Sequence, residues 1–139
     1  MFVGQASCLS YVKIECVRTD IKSVPTKTKR KEMKFSVLMS LYVKENPQYL
    51  RECFESLMAQ THPADEIVLV FDGAVTPELE AVVSEFETTL PLHLVKLPKN
   101  LGLGKALNEG LKHCAHDWVF RMDTDDICVP ERFEKQVAF

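Results

Sequence analysis

Four short apolar runs recur along this chain, each followed by a segment whose apolar residues return every three or four positions, and that alternation restricts the fold more than any single motif. The first run, FSVLMSL from Phe35 to Leu41, ends at Tyr42 and has the unbroken apolar character of a strand covered on both faces. From Pro47 to Gln60, Leu50, Cys53, Phe54, Leu57 and Met58 share one helical face, with Pro47 suited to a first turn. The second run, Glu66 to Asp72, is closed by Gly73, and Pro77 opens a helix carrying Leu79, Val82, Val83 and Phe86. Leu92 to Leu97 is the third strand. Beyond a turn at Pro98 to Gly104, the residues Ala106, Leu107, Gly110, Leu111 and Cys114 line a third helical face. Trp118 to Met122 is the fourth strand, leading into Asp123, Thr124, Asp125 and Asp126, and Pro130 starts a last helix that reaches Phe139.

Strands alternating with helices predict an α/β domain with a parallel sheet and right-handed crossovers. Ligands of such sheets bind beyond the carboxyl ends of the strands, where strand order reverses. Ser40 and Tyr42 follow the first strand, Asp72 and Gly73 the second, and the carboxylates the fourth. Periodicity therefore places a tyrosine and several acids on one rim.

Charge divides the chain in two. Residues 1–32 hold seven Lys/Arg against three Asp/Glu, whereas residues 33–139 hold ten against seventeen. The first segment has no sustained period and closes on Pro25 and the run Lys27 to Lys31, so it reads as a basic, disordered extension, with 33–139 the folded part. Met33 is a candidate natural start. A net charge of −3 argues against a general nucleic-acid binder. No stretch approaches the roughly 18 to 20 apolar residues of a spanning helix, and no secretory leader pattern opens the chain. The five cysteines, Cys8, Cys16, Cys53, Cys114 and Cys128, are odd in number and widely spaced, which suits reduced thiols and a cytoplasmic protein. The basic arm leaves peripheral attachment to an anionic membrane surface open.

Asp123, Asp125 and Asp126 crowd three carboxylates into four residues, an arrangement that a cation relieves. Hard oxygen ligands suit Mg²⁺ or Mn²⁺. The competing reading is a solvated acidic turn ahead of the helix at Pro130. An EF-hand loop fails, because Ile127 and Cys128 stand at its fifth and sixth places. His113, Cys114, His116 and Cys128 match no tetrahedral zinc spacing. Gly102 to Leu107 imitates a dinucleotide fingerprint, but Leu107 replaces the third glycine and the stretch follows the third strand instead of the first. At a helix start, Lys105 and the nearby amides would suit an anion.

From Phe35 to Val137 the sequence resembles family 2 glycosyltransferases of the GT-A fold. The matching pieces are SVLMSLY, LRECFESLMAQT, EIVLVFDG, NLGLGKALNEGL and RMDTDDICVPERFEKQ, in family order and at family spacing. The resemblance is greatest to bacterial galactosyl- and glucosyl-transferase-like enzymes that build exopolysaccharide, capsule or lipopolysaccharide. It implies a Rossmann-like GT-A nucleotide-diphospho-sugar transferase fold, truncated after about four β/α units. It implies transfer of a hexose, with inversion, from a UDP-sugar to a glycan or lipid-linked glycan acceptor at the inner face of the cytoplasmic membrane.

Roles follow from the same resemblance. Ser40, Leu41 and Tyr42 would cradle the nucleobase, and Asp72 would accept the uracil imide hydrogen. Asp123 would bond the ribose, and Asp125 would hold Mn²⁺ or Mg²⁺, with Asp126 sharing the ion. Lys105 and Arg121 would meet phosphate or base. The family's general base is an acid further downstream, expected beyond Phe139, so the catalytic residue stays unassigned. A catalytically inactive nucleotide-sugar-binding fragment or pseudoenzyme is the alternative. Phe71 stands where many relatives carry the first of two acids, and Val43 replaces a common Asn. A phosphoacceptor signalling domain would want acids directly after the first strand, which here ends Ser40, Leu41, Tyr42.

Overall fold

All four apolar runs form strands and all four periodic segments form helices in the computed structural model, which describes residues 33–138. In chain order these are β1 (Phe35–Leu41), α1 (Pro47–Met58), β2 (Glu66–Phe71), α2 (Pro77–Phe86), β3 (Leu92–Lys96), α3 (Leu103–Leu111), β4 (Trp118–Arg121) and α4 (Arg132–Val137). The basic extension expected over residues 1–32 lies outside the described residues.

Local chemistry starts two of the helices. Asn46 accepts the Gln48 N–H at 2.8 Å with Pro47 in the first turn, and Thr76 Oγ1 accepts the Leu79 N–H at 3.3 Å with Pro77 in the first turn. The third helix stops earlier than its apolar face suggests. After Gly110 the N–H groups of His113 and Cys114 reach back only three residues, to Gly110 and Leu111, so the last turn tightens and Cys114 falls outside α3. The last helix starts at Arg132, two residues after Pro130, because the Pro130 carbonyl accepts the Thr61 N–H at 2.9 Å.

The strands pair in parallel in the order β3-β2-β1-β4. Two units add outward from β1 on one side; the chain then crosses back and sets β4 on the other. The strand order reverses between β1 and β4. Alternation along β1 sorts the faces. Phe35, Val37, Met39 and Leu41 pack with Leu50, Phe54, Leu79, Phe86 and Phe133, while Leu38 joins Val68, Val70, Val119 and Ala106. Thus α1, α2 and α4 cover one face and α3 the other. The close approach of α3 depends on Gly110, where a Cβ would run into the side chains of Val70 and Leu38.

Candidate functional site

Unequal strand lengths open a cleft at the reversal point. Leu38 is the last β1 residue paired with β4, opposite Arg121, while β1 continues to Leu41 beside Phe71 of β2. A cleft of about 420 Å³ occupies the carboxyl rim. The end of β1 supplies Ser40 and Tyr42 and the turn after it Glu45; the end of β2 supplies Asp72. The turn before α3 adds Asn100, Gly102 and Leu103, and the turn after β4 adds Asp123, Thr124 and Asp125.

Five residues nominated from sequence, Ser40, Tyr42, Asp72, Asp123 and Asp125, therefore meet in one cleft. Asp126 lies beneath it, 3% exposed, yet one carboxylate oxygen from each of Asp123, Asp125 and Asp126 falls within 4.8 Å of the others. The remaining three nominations sit elsewhere. The Leu41 side chain is fully buried in the core, so only its backbone reaches the rim, where its carbonyl accepts the Asp72 N–H at 2.8 Å. Lys105 is exposed on α3 and does not line the cleft. Arg121 sets Nη2 3.4 Å from Asp123 Oδ1 and borders a second cavity of about 200 Å³ between β4 and α3.

Asp72 does more than its sequence position suggests. Its Oδ1 accepts the Leu101 N–H at 2.7 Å and its Oδ2 the Gly102 N–H at 3.1 Å, so the carboxylate caps the turn that walls the cleft. Gly73, at φ +85°, lets that turn lie on the end of β2; a Cβ there would sit 2.7 Å from the Asn100 nitrogen. Each carboxylate oxygen carries two lone pairs, so both keep capacity for a ligand.

Glu45, Asn100 and Thr124 were not nominated from sequence. Glu45 lies four residues past the end of the first strand, so the strand-end rule that points to Asp72 and Asp123 also points to it. Its carboxyl lies above the usual value because burial disfavours the anion and Asp125 and Asp123 repel it, with the Thr124 hydroxyl pulling the other way. The donor set of three hard carboxylates fits a divalent cation, with Asp125 and Asp126 the residues that would hold it and Asp123 beside them. Among the described residues, no other three His, Cys, Asp or Glu side chains cluster this way. His113 stands edge-on to His93 at 5.7 Å, and Cys128 is buried beside Arg132.

Residues 36–139 match the family described as glycosyl transferase family 2. Over 107 residues the chain is 84% identical to an uncharacterized glycosyltransferase of Haemophilus influenzae, covering 77% of this chain and 40% of that protein. It is 62% identical over 105 residues to the amylovoran biosynthesis glycosyltransferase AmsE of Erwinia amylovora, covering 76% and 40%. It is 46% identical over 101 residues to the UDP-Gal:alpha-D-GlcNAc-diphosphoundecaprenol beta-1,3-galactosyltransferase of Escherichia coli, covering 73% and 37%. The chain thus spans about two fifths of the length of these relatives. Among solved structures, TarS of S. aureus in complex with UDP-GlcNAc matches with a TM-score of 0.68 at 32% identity, covering 76% of this chain and 30% of that one. The mannosyltransferase PcManGT of Pyrobaculum calidifontis, in complex with GDP-Man and Mn²⁺, matches with a TM-score of 0.62 at 25% identity, covering 70% and 29%.

Proposed function

The chain belongs to glycosyl transferase family 2 and carries the GT-A fold, and we propose that it is the donor-binding part of an enzyme that transfers a hexose from a UDP-sugar to a glycan or lipid-linked glycan in exopolysaccharide assembly, with inversion. The observation that carries this reading is the meeting of Ser40, Tyr42, Asp72, Asp123 and Asp125 in one cleft at the reversal of strand order. Relatives support its finer parts: one is named for UDP-Gal and a GlcNAc-diphosphoundecaprenol acceptor, and another for amylovoran biosynthesis.

Each residue has a chemical task in this reading. Tyr42, 40% exposed at the cleft wall, offers a ring face to the base. Asp72, held rigid by two backbone donors, uses its remaining lone pairs to accept the uracil imide hydrogen, which selects against purine bases. Asp123 accepts from the ribose hydroxyls, and Asp125 with Asp126 holds Mn²⁺ or Mg²⁺. A bound ion there supplies charge neutralisation for the diphosphate and for the departing nucleotide. Ser40 and the Leu41 backbone fix the base edge, and the acceptor's base belongs to the part of the relatives beyond this chain. Among the described residues, no helix is long and apolar enough to cross a membrane; we place transfer at the inner face of the cytoplasmic membrane through the lipid-linked acceptor.

Calorimetry with UDP, GDP and free diphosphate, each with Mn²⁺ and with chelator, tests the reading. UDP should bind more tightly than GDP, and only with the ion. Equal binding of both nucleotides, or binding that survives chelation, would overturn it.

A further inference from the structure

The turn after β4 carries three carboxylates whose oxygens lie within 4.8 Å, so mutual repulsion favours a spread-out turn unless the backbone is held. The holding comes from beneath. Arg132, 5% exposed, donates from Nη1 to Cys128 Sγ at 3.0 Å and from Nη2 to the Arg121 carbonyl at 3.1 Å. Arg121 lies two residues before Asp123, and Cys128 two residues after Asp126. One planar guanidinium therefore bridges both stems of the acidic turn, and its own plane sits over the Phe133 ring at 5.3 Å. The α1 helix fastens the same stems: Cys53 Sγ donates to the Asp123 carbonyl at 3.6 Å and Ser56 Oγ accepts the Cys128 N–H at 3.1 Å. Just past the helix, Gln60 Nε2 donates to the Val129 carbonyl at 2.8 Å.

We propose that Arg132 is the positioning residue of the cation site: its buried fork closes the stems of the acidic turn and keeps Asp123, Asp125 and Asp126 at ligand spacing before an ion arrives. The inference rests on the reading of Asp125 and Asp126 as the ion's holders, with Asp123 beside them on the ribose. It is a question of preorganisation, because a turn already closed loses less freedom when it binds. A lysine keeps the charge but cannot make two divergent bonds in one plane.

The test compares the parent, Arg132→Lys, Cys128→Ala and Asp125→Asn by two readouts. The first is hydrogen exchange of the peptide spanning residues 119–129 without any ion, and the second is Mn²⁺ affinity in the presence of UDP by electron paramagnetic resonance. Arg132→Lys should speed exchange in that peptide and weaken Mn²⁺ by about tenfold, the lower end of losses seen when groups that orient metal ligands are removed. Cys128→Ala, which releases one stem alone, should do the same more weakly, and it carries the test if the lysine variant fails to fold. Faster exchange with Mn²⁺ affinity within twofold of the parent, or unchanged exchange in a folded variant, would overturn the proposal. A parent that binds no Mn²⁺ overturns the ion-site reading and this inference with it; loss in Asp125→Asn but not in Arg132→Lys or Cys128→Ala overturns this inference alone.

Discussion

At the amino end of the sheet, Glu66 Oε2 accepts the Ser36 hydroxyl at 2.6 Å and the Ala115 N–H at 2.8 Å, and Oε1 lies 3.3 Å from His93 Nδ1. One side chain on β2 thereby ties β1, β3 and the segment entering β4, while Asp65 beside it accepts the Phe35 N–H at 3.0 Å. At the carboxyl end the acids face one another instead, with Asp123, Asp125 and Asp126 clustered and Glu45 close enough to feel two of them. Glu66 at one rim and Glu45 at the other are pushed in opposite directions. Burial alone would lift Glu66, but the Ala115 N–H, the Ser36 hydroxyl and His93 outweigh it and hold the group below its ordinary 4.5. Glu45 is driven up by burial and then by its acidic neighbours. At Glu66 the donors outweigh burial, whereas at Glu45 burial and acidic neighbours outweigh the Thr124 hydroxyl.

The largest expected effect separates the rims by ligand. Asp125→Asn should weaken UDP in Mn²⁺ by about a hundredfold, near 2.7 kcal/mol, whereas Glu66→Gln should leave it within about twofold. Calorimetry on both variants checks this, and equal losses would erase the distinction between the rims.

Asp72 belongs by place to the carboxyl rim and by bonding to the other kind, since it is 3% exposed and meets two backbone donors. Asp72→Asn turns an amide NH₂ toward one of the N–H groups of Leu101 and Gly102; the Gly102 N–H keeps Asn100 Oδ1 at 3.1 Å, so the change loses one charge-assisted bond, worth about 1–2 kcal/mol. Thermal melting should fall accordingly, and UDP should weaken more than free diphosphate does. Equal weakening of both ligands would leave Asp72 with the structural task alone.

The fold was legible because each strand announces itself by an apolar run and each helix by its stripe, and two of the helices by a cap-and-proline start such as Asn46-Pro47 and Thr76-Pro77. Helix ends were less legible. Gly110 lies on the apolar face that its spacing implies, but the tightened last turn shows only in the bonds of the His113 and Cys114 amides to Gly110 and Leu111. Ser40, Tyr42, Asp72, Asp123 and Asp125 share one cleft because a parallel sheet delivers its strand ends to one rim whatever the turns do. Glu45, Asn100 and Thr124 come from turns whose paths no periodicity specifies. Lys105 and Leu41 illustrate the converse: a residue next to a motif need not point where the motif does, and alternation along β1 sends Leu41 inward between Ser40 and Tyr42. The Arg132 clamp was out of reach, since nothing in the spacing links it to Arg121 and Cys128.

A smaller effect concerns pH at the amino rim. Glu66→Gln removes a carboxylate that accepts from three groups and should lower stability by about 1 kcal/mol at neutral pH. The folded group sits below its ordinary value, so its contribution is complete above about 4.5 and disappears as pH falls through the folded value. Melting curves of parent and variant should run apart at pH 7 and converge in acid. A gap that persists in acid would mean that Glu66 acts through its size and not its charge.

The smallest effect has the opposite sign and probes the same contrast without any ligand. If the carboxyl rim is a set of acids held together against their repulsion, removing one charge should stabilise the ion-free protein. Asp125 is exposed, so water screens its neighbours and the gain should stay under about 1 kcal/mol. Asp125→Asn should therefore melt slightly higher than the parent in chelator and lose that lead as Mn²⁺ is added, because the ion stabilises only the chain that binds it. Raising the salt concentration should shrink the lead further, since counter-ions reach the exposed Asp125. Glu66→Gln should melt lower than the parent in the same chelator buffer. Two conservative carboxyl-to-amide changes on one sheet would then move stability in opposite directions, and a common direction would show that the rims differ in position and not in how their charges are balanced.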